Sequence, residues 1–309
     1  YTTATGDDDN SGKVPDRPVR NLSTIFRLYD IDAGDRIFVD TGTYEALSDI
    51  SLDSSLSGDA DDPVVVQVPR DPFASATIDR GTTLVDTEHV RLEGMDHLTI
   101  RDLDLVAGYR GLWAPESADS DFLTLERVSL REQGERALWL GQTNDDAALN
   151  DLSVTQAARV ATTSVALDID GERVRMTGGR VFDTPAGVDA DGPDGLYTGL
   201  ELRGITRGRA FELTNGRITD SVLRDNAGTG IWLSNNGMAE RLAAFGHLGG
   251  ANAYAVQLTG NANVDDSLVY GNTVGVLISG GGAVRDSRIF ENVTGIDSRS
   301  SGLIVGSRI

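Results

Sequence analysis

The 309-residue chain has no cysteine, a single lysine, only 8 prolines and few aromatics, 6% of the total. Without cysteine there are no disulfides and no thiolate metal sites, so packing alone must hold the fold, and the redox compartment is left open. With Lys13 as the sole lysine, placed near the N-terminus, a lysine general base is excluded. No run reaches the ~20 apolar residues that a membrane-spanning helix needs. Basic residues are outnumbered 27 to 48 by acidic ones, for a net charge of −21. That charge excludes nucleic acid and anionic membranes as partners, because the phosphate field would repel the chain.

What the sequence has in quantity is glycine, 36 residues, with Asn, Asp, Ser and Thr between short apolar runs. That pattern reads as many short strands and many turns. The strands repeat. "ITDSVLRDNAGTGIWLSNN" from Ile218, "VDDSLVYGNTVGVLISGGG" from Val264, "VRDSRIFENVTGIDSRSSG" from Val284 and "IVGSRI" from Ile304 align without gaps at their starts. "MAERLAAFGHLGGANAYAVQLTG" from Met238 supplies an intervening unit, and looser copies precede them. Each unit holds two or three strands with apolar residues at every second position, too short to bury its own apolar face. Stacked units bury a continuous core.

At these residues the chain resembles the right-handed parallel β-helix proteins, the pectate-lyase-like superfamily, over nearly its whole length. The resemblance implies an all-β solenoid forming a single domain, 1–309. Residues 1–45 would be the N-terminal lead-in and cap, with a short capping helix at Leu22–Tyr29 and a strand at Asp35–Asp40. Residues 86–309 would be regular coils, the C-terminal end falling in mid-coil, where further β-helix or another subunit would cover the edge. It also implies that Asn226, Asn272 and Asn292, which align, stack as an asparagine ladder. Asp220, Asp266 and Asp286 align as well and read as turn residues bonding local backbone.

Taking the aliphatic residues of one strand per coil as inward, the residues between them form an outward row. It runs Trp113, Trp139, Asp168, Asp189, Glu212, Trp232, Gln257, Leu277 and Asp297, and it collects all three tryptophans of the chain. An adjacent row adds Asp170 and Asp191. Strands ~4.8 Å apart place Asp168 and Glu212 ~9.6 Å apart at the backbone, with Asp189 between them. Carboxyl groups ~6.5–9.5 Å apart are the arrangement of inverting glycoside hydrolysis, and crowding them raises a pKa. The sequence thus offers Asp168, Asp189 and Glu212 as catalytic candidates. It offers Trp113, Trp139, Trp232, Asp170, Asp191 and Gln257 as glycan contacts, the indole faces serving as platforms for sugar rings.

"VDADGPDG", Val188–Gly195, offers Asp189, Asp191 and Asp194 as a calcium site. "DDDNSG", residues 7–12, begins like a calcium loop but has Pro18 where the twelfth ligand belongs. His89, His97 and His247 lack ligand spacing. The arginine–x–lysine pair of polygalacturonases and the mannuronan epimerase signature are absent, although Arg203, Arg207 and Arg209 lie close in sequence to Glu212. Two functions remain open. One is a carbohydrate-interacting module, an enzyme degrading polysaccharide by hydrolysis or elimination or a binder. The other is a non-catalytic structural or adhesive module of a larger protein. By resemblance, the setting is secreted or cell-surface.

Overall fold

The computed structural model describes residues 2–3, 5–69, 75–160, 165–250 and 253–309. It divides into two compact units, Tyr1–Ala161 and Thr162–Ile309. Both are built from short strands that recur in threes, each pairing in parallel with its counterpart one turn on. In Tyr1–Ala161 the first strands run from Arg36–Phe38 to Ala148–Asn150 and the second from Gly42–Glu45 to Ser153–Thr155. The third strands are Ile50–Asp53, Glu88–Glu93, Arg110–Ala114 and Arg136–Leu140. Parallel stacking therefore starts at Arg36, ahead of residue 86 where regular turns were expected.

In Thr162–Ile309 the first strands run from Arg175–Thr177 to Leu303–Val305 and the second from Arg180–Phe182 to Arg288–Phe290. The third strands are Leu167–Ile169, Val188–Ala190, Arg209–Leu213, Thr229–Leu233, Tyr254–Leu258, Val274–Ile278 and Thr294–Ser298. The expected all-β parallel solenoid is what forms, with one α-helix, Leu22–Leu28, among the described residues. That helix buries Leu22, Ile25 and Phe26 and packs on the strand Ile50–Asp53. Ahead of it, Asp8 accepts hydrogen bonds from the backbone N–H groups of Arg20 and Asn21.

The alternation read from the sequence sets the core. Val188, Phe211, Ile231, Val256 and Val276 stack in register, as do Ala190, Leu213, Leu233, Leu258 and Ile278, every one at most 1% exposed. Each buried Val, Leu or Ile contributes roughly 1.5–3 kcal/mol. Apolar residues stacked in register turn on turn make the core a set of columns.

The corners explain the polar motifs. Between first and second strands the chain turns on a single left-handed residue, with φ of 52° at Asp220, 46° at Asp266 and 47° at Asp286. Asp is among the residues that tolerate this conformation; the Asp220 carboxylate, expected to bond local backbone, instead accepts from the Arg241 guanidinium. The serine that follows each aspartate is buried and links turns. Ser221, Ser267 and Ser287 accept from Leu200, Leu242 and Ser267 N–H respectively. Between second and third strands, the side chain of Asn292 accepts from Asn272 N–H at 3.0 Å, the expected ladder. The rung between Asn226 and Asn272 is held by His247, whose Nε2 meets Leu223 O at 3.2 Å. Part of that coil, residues 251 and 252, lies outside the described residues.

Candidate functional site

The third strands of Thr162–Ile309 carry the acidic part of the outward row in strict register. Asp168 pairs with Asp189, Asp189 with Glu212, Glu212 with Trp232, Trp232 with Gln257, Gln257 with Leu277 and Leu277 with Asp297. The inward neighbours of Trp232, Ile231 and Leu233, are fully buried, so the indole stands on the outer side, partly covered. Its Nε1 donates to Thr259 Oγ1 at 3.0 Å, and the Arg209 guanidinium lies 3.3 Å from the ring centroid. Arg209 also donates to Glu212 Oε2, so one cation bridges the indole and the carboxylate.

Carboxylate oxygens of Asp189, Asp191 and Glu212 lie within 4.8 Å of one another. The cause is geometric: Asp189 and Asp191 are two residues apart, and Glu212 is directly across from Asp189 on the next strand. Burial, then the charges of Glu212, Asp191, Asp168 and Asp170, push the Asp189 carboxyl up to about 7. Its Oδ1 is buried without a hydrogen-bond partner. Burial also raises Glu212, against the opposing pull of Arg209. Asp191 is exposed and accepts from Thr214 Oγ1. Below the cluster, the Tyr197 hydroxyl is buried and unpartnered, the ring meeting Phe211 edge-on at 5.1 Å. The hard oxygens of Asp189, Asp191 and Glu212, with one orphaned acceptor among them, fit a hard cation such as calcium.

The third strands of Tyr1–Ala161 carry other chemistry. Arg91, Trp113 and Trp139 are in register, as are Glu88, Arg110 and Arg136. The two indoles stack at 6.0 Å, with Arg91 and Arg110 at 4.5 and 4.7 Å from the Trp113 ring and Arg136 at 4.9 Å from Trp139. Arg110 is clamped between Glu88 at 2.9 Å and Glu135 at 2.6 Å.

Several expectations change here. Asp194 falls outside the acidic cluster, in which Glu212 joins Asp189 and Asp191; Asp194 is the left-handed residue of the turn, with φ of 58°. Leu277 keeps its outward register but is 3% exposed, packed with Tyr254 and Val274. Asp189 stands between Asp168 and Glu212 in the same row, as the alternation placed it. The indoles are not bare: Trp113 and Trp139 stack on each other and take guanidinium groups, and Arg209 covers one face of Trp232. His89 and His247 are buried with one ring nitrogen each on a carbonyl, and His97 stacks on Phe122 at 4.5 Å. Of the arginines near Glu212 in sequence, Arg209 reaches it, while Arg203 lies over the Phe182 ring. Thr214 and Tyr197 carried no sequence signal of a role. Tyr197 reads as ordinary core and Thr214 as a turn residue.

No protein-family model matches the chain. No curated protein matches it either. Solved structures do. The A-module of the mannuronan C-5 epimerase AlgE4 from Azotobacter vinelandii superposes with a TM-score of 0.58 at 15% identity, covering 89% of this chain and 87% of that one. Pectate lyase Pel9A gives 0.48 at 14% identity over 100% and 78% of the two chains. An alginate lyase from Paenibacillus sp. str. FPU-7 gives 0.48 at 11% over 93% and 96%. The chain thus has the fold of the parallel β-helix proteins, and at these identities the likeness is one of fold.

Proposed function

We propose that the chain interacts with a polysaccharide laid along the third strands of Thr162–Ile309, with Asp189, Asp191 and Glu212 as a cation-accepting centre. The observation that carries this is the unbroken register Asp168–Asp189–Glu212–Trp232–Gln257, which lines acceptors and one indole along a straight, chain-shaped track. The AlgE4 A-module, which has this fold, belongs to a mannuronan C-5 epimerase. A calcium ion would be held by the three carboxylates and would offer positive charge to an acidic glycan. The direct test is calorimetry over a panel of neutral, acidic and basic oligosaccharides, each with and without calcium. Glu212→Gln should weaken binding at least fivefold. Absence of binding across the panel would leave the non-catalytic structural or adhesive module.

A second reading, turnover, is favoured by one observation. Asp189, pushed up to about 7, carries a proton through much of the neutral range beside Glu212, which Arg209 helps keep ionised. That is the pairing of an acid with a base. Asp189→Asn would abolish turnover while oligosaccharide binding, measured separately, persists.

A further inference from the structure

We infer that Tyr1–Ala161 carries a small-molecule site of its own, a cavity beside the helix Leu22–Leu28 that takes a single neutral sugar residue. It stands apart from the acidic track of Thr162–Ile309 and does not rest on the reading proposed for that track.

Three walls enclose about 540 Å³, within the ~300–1,000 Å³ usual for small-molecule sites. The helix supplies one wall, with Ser23 and Arg27 four residues apart on a shared face. The strand Ile50–Asp53 supplies the second: its alternation buries Ile50 and Leu52 and turns Ser51 and Asp53 outward. The 3-10 turn Ser54–Leu56 closes the third. Helix and strand pack on each other, which fixes the distance between the first two walls. Ser23, Ser48, Ser51 and Ser55 stand in the lining where bulkier side chains would fill the space.

The lining has two chemistries. Phe26, Ile50 and Leu56, each no more than 8% exposed, give it an apolar patch. Around the patch stand the serine hydroxyls and the carboxylates of Asp8, Asp49 and Asp53. Each carboxylate is oriented by the chain itself. Asp8 accepts from Arg20 and Asn21 N–H, and Asp49 from Arg80 Nη2 at 3.1 Å and Glu88 N–H at 3.2 Å. Asp53 accepts from Ser55 N–H at 2.9 Å and Ser55 Oγ at 2.6 Å, bonds that hold its carboxyl below the usual carboxylate range and keep it an acceptor at neutral pH.

These features select among ligands. Three carboxylates against Arg27 in the lining oppose an anion. A metal ion or an ammonium needs its acceptors gathered at one point, and among the described residues three acidic groups come within 4.8 Å only at Asp189, Asp191 and Glu212. A wholly apolar ligand would desolvate the hydroxyls without replacing their bonds. A neutral sugar meets every wall: its hydroxyls donate to separated carboxylates and accept from serines and Arg27, while its C–H face covers the apolar patch. One residue fits rather than a chain laid across the sheet. Ser51 heads the row Arg91, Trp113 and Trp139, and that row is closed by its own stacking.

The test is a ligand-observed NMR titration of the intact chain with the methyl glycosides of glucose, galactose and mannose, with glucuronate and cyclohexanol as the anionic and apolar comparisons. At least one methyl hexoside should bind with a dissociation constant of ~1 mM, and glucuronate and cyclohexanol at least tenfold more weakly. Ser51→Trp and Ser48→Trp, which fill the cavity from different sides, should each weaken the hexoside at least tenfold. Asp53→Asn, which keeps the shape of the site, should weaken it about threefold and decides the matter if a tryptophan variant lowers the urea midpoint. Glu212→Gln should leave the affinity unchanged. No hexoside bound at ~50 mM would overturn the inference. So would an affinity that survives Ser51→Trp, Ser48→Trp and Asp53→Asn alike, or one that is lost in Glu212→Gln, which would put the sugar on the acidic track. Micromolar calcium displacing the hexoside would assign the cavity to a cation instead. Because Glu212→Gln separates the two places, failure here leaves the polysaccharide reading standing, and failure of that reading leaves this one.

Discussion

At the outward positions of their third strands, Tyr1–Ala161 sets Arg91, Trp113 and Trp139 in register, whereas Thr162–Ile309 sets Asp168, Asp189 and Glu212. The scaffold beneath is the same alternation, with Leu138 and Ile231 equally buried at 0% exposure. The difference lies in how charge is settled. The first face closes on itself: Arg110 holds two carboxylates, Arg91 pairs with Glu93, and each indole is stacked. The second face brings three carboxylates together with Arg209 on one of them, and Asp189 answers by holding a proton near pH 7. A closed face serves stability. On the second face the Asp189 Oδ1 is buried without a hydrogen-bond partner.

If the scaffolds are equivalent, breaking either core should cost the same. Leu138→Asp and Ile231→Asp each place an unpaired charge in a dry column, and each should cost about 4 kcal/mol or more in urea unfolding. A much milder effect at Ile231 would mean that the register of the second unit, and with it the whole acidic track, is misplaced.

The faces themselves should then separate. Arg110→Gln strands Glu88, whose side chain is only 4% exposed, and should destabilise by about 3 kcal/mol. Arg209→Gln releases Glu212, 20% exposed beside open solvent, and should cost about 1 kcal/mol. Equal losses in the two variants would erase the distinction between a closed and an open face.

The alternation that supports these predictions was legible in the sequence because period-2 patterning and repeat spacing fix which residues face in. The row from Asp168 to Trp232 followed from that alone. What the sequence did not disclose depends on reach rather than register. Arg209 lies near Glu212 in sequence, but its reach across to Trp232 on the next third strand has no periodicity to betray it. Asp194 looked like a ligand by spacing but is the left-handed residue of the corner and lies outside the cluster. Leu277 obeys the register yet packs with Tyr254 of the preceding third strand and Val274 of its own. His247 fills an asparagine slot, a substitution visible only once the coils are superposed.

Two groups of the second unit that burial shifts, Asp189 and His247, act in opposite directions with pH. Asp189 holds its proton in the folded state up to about 7, so its contribution is full below the ordinary carboxylate range and is lost as pH rises through about 7. Asp189→Asn should therefore stabilise at pH 8 by about 1–2 kcal/mol, a figure discounted for the solvent that reaches the site. His247 is depressed to about 4 by burial, so its contribution is present above the ordinary histidine value and is lost as pH falls through about 4. His247→Asn, restoring the ladder rung, should flatten that acid limb without moving the alkaline one. A single pH profile shared by wild type and both variants would remove these residues from the account.

The smallest effect sharpens the contrast most directly, because it is read from the tryptophans themselves. Trp113 and Trp139 lie against each other and under guanidinium groups, and neither indole nitrogen has an acceptor. Trp232 stands beside Glu212 and Gln257 on the acidic track, one ring face under Arg209. A saccharide settling on that track displaces water around Trp232 and shifts its emission by a few per cent of the total, while the stacked pair keeps its environment. Trp232→Phe should abolish this change. Trp113→Phe and Trp139→Phe should preserve it, lowering only the constant background. If the saccharide signal instead disappears with Trp139→Phe and survives Trp232→Phe, the ligand is on the arginine-rich face, its charge preference should invert toward acidic sugars, and the carboxylate cluster would be left with a proton as its only cation.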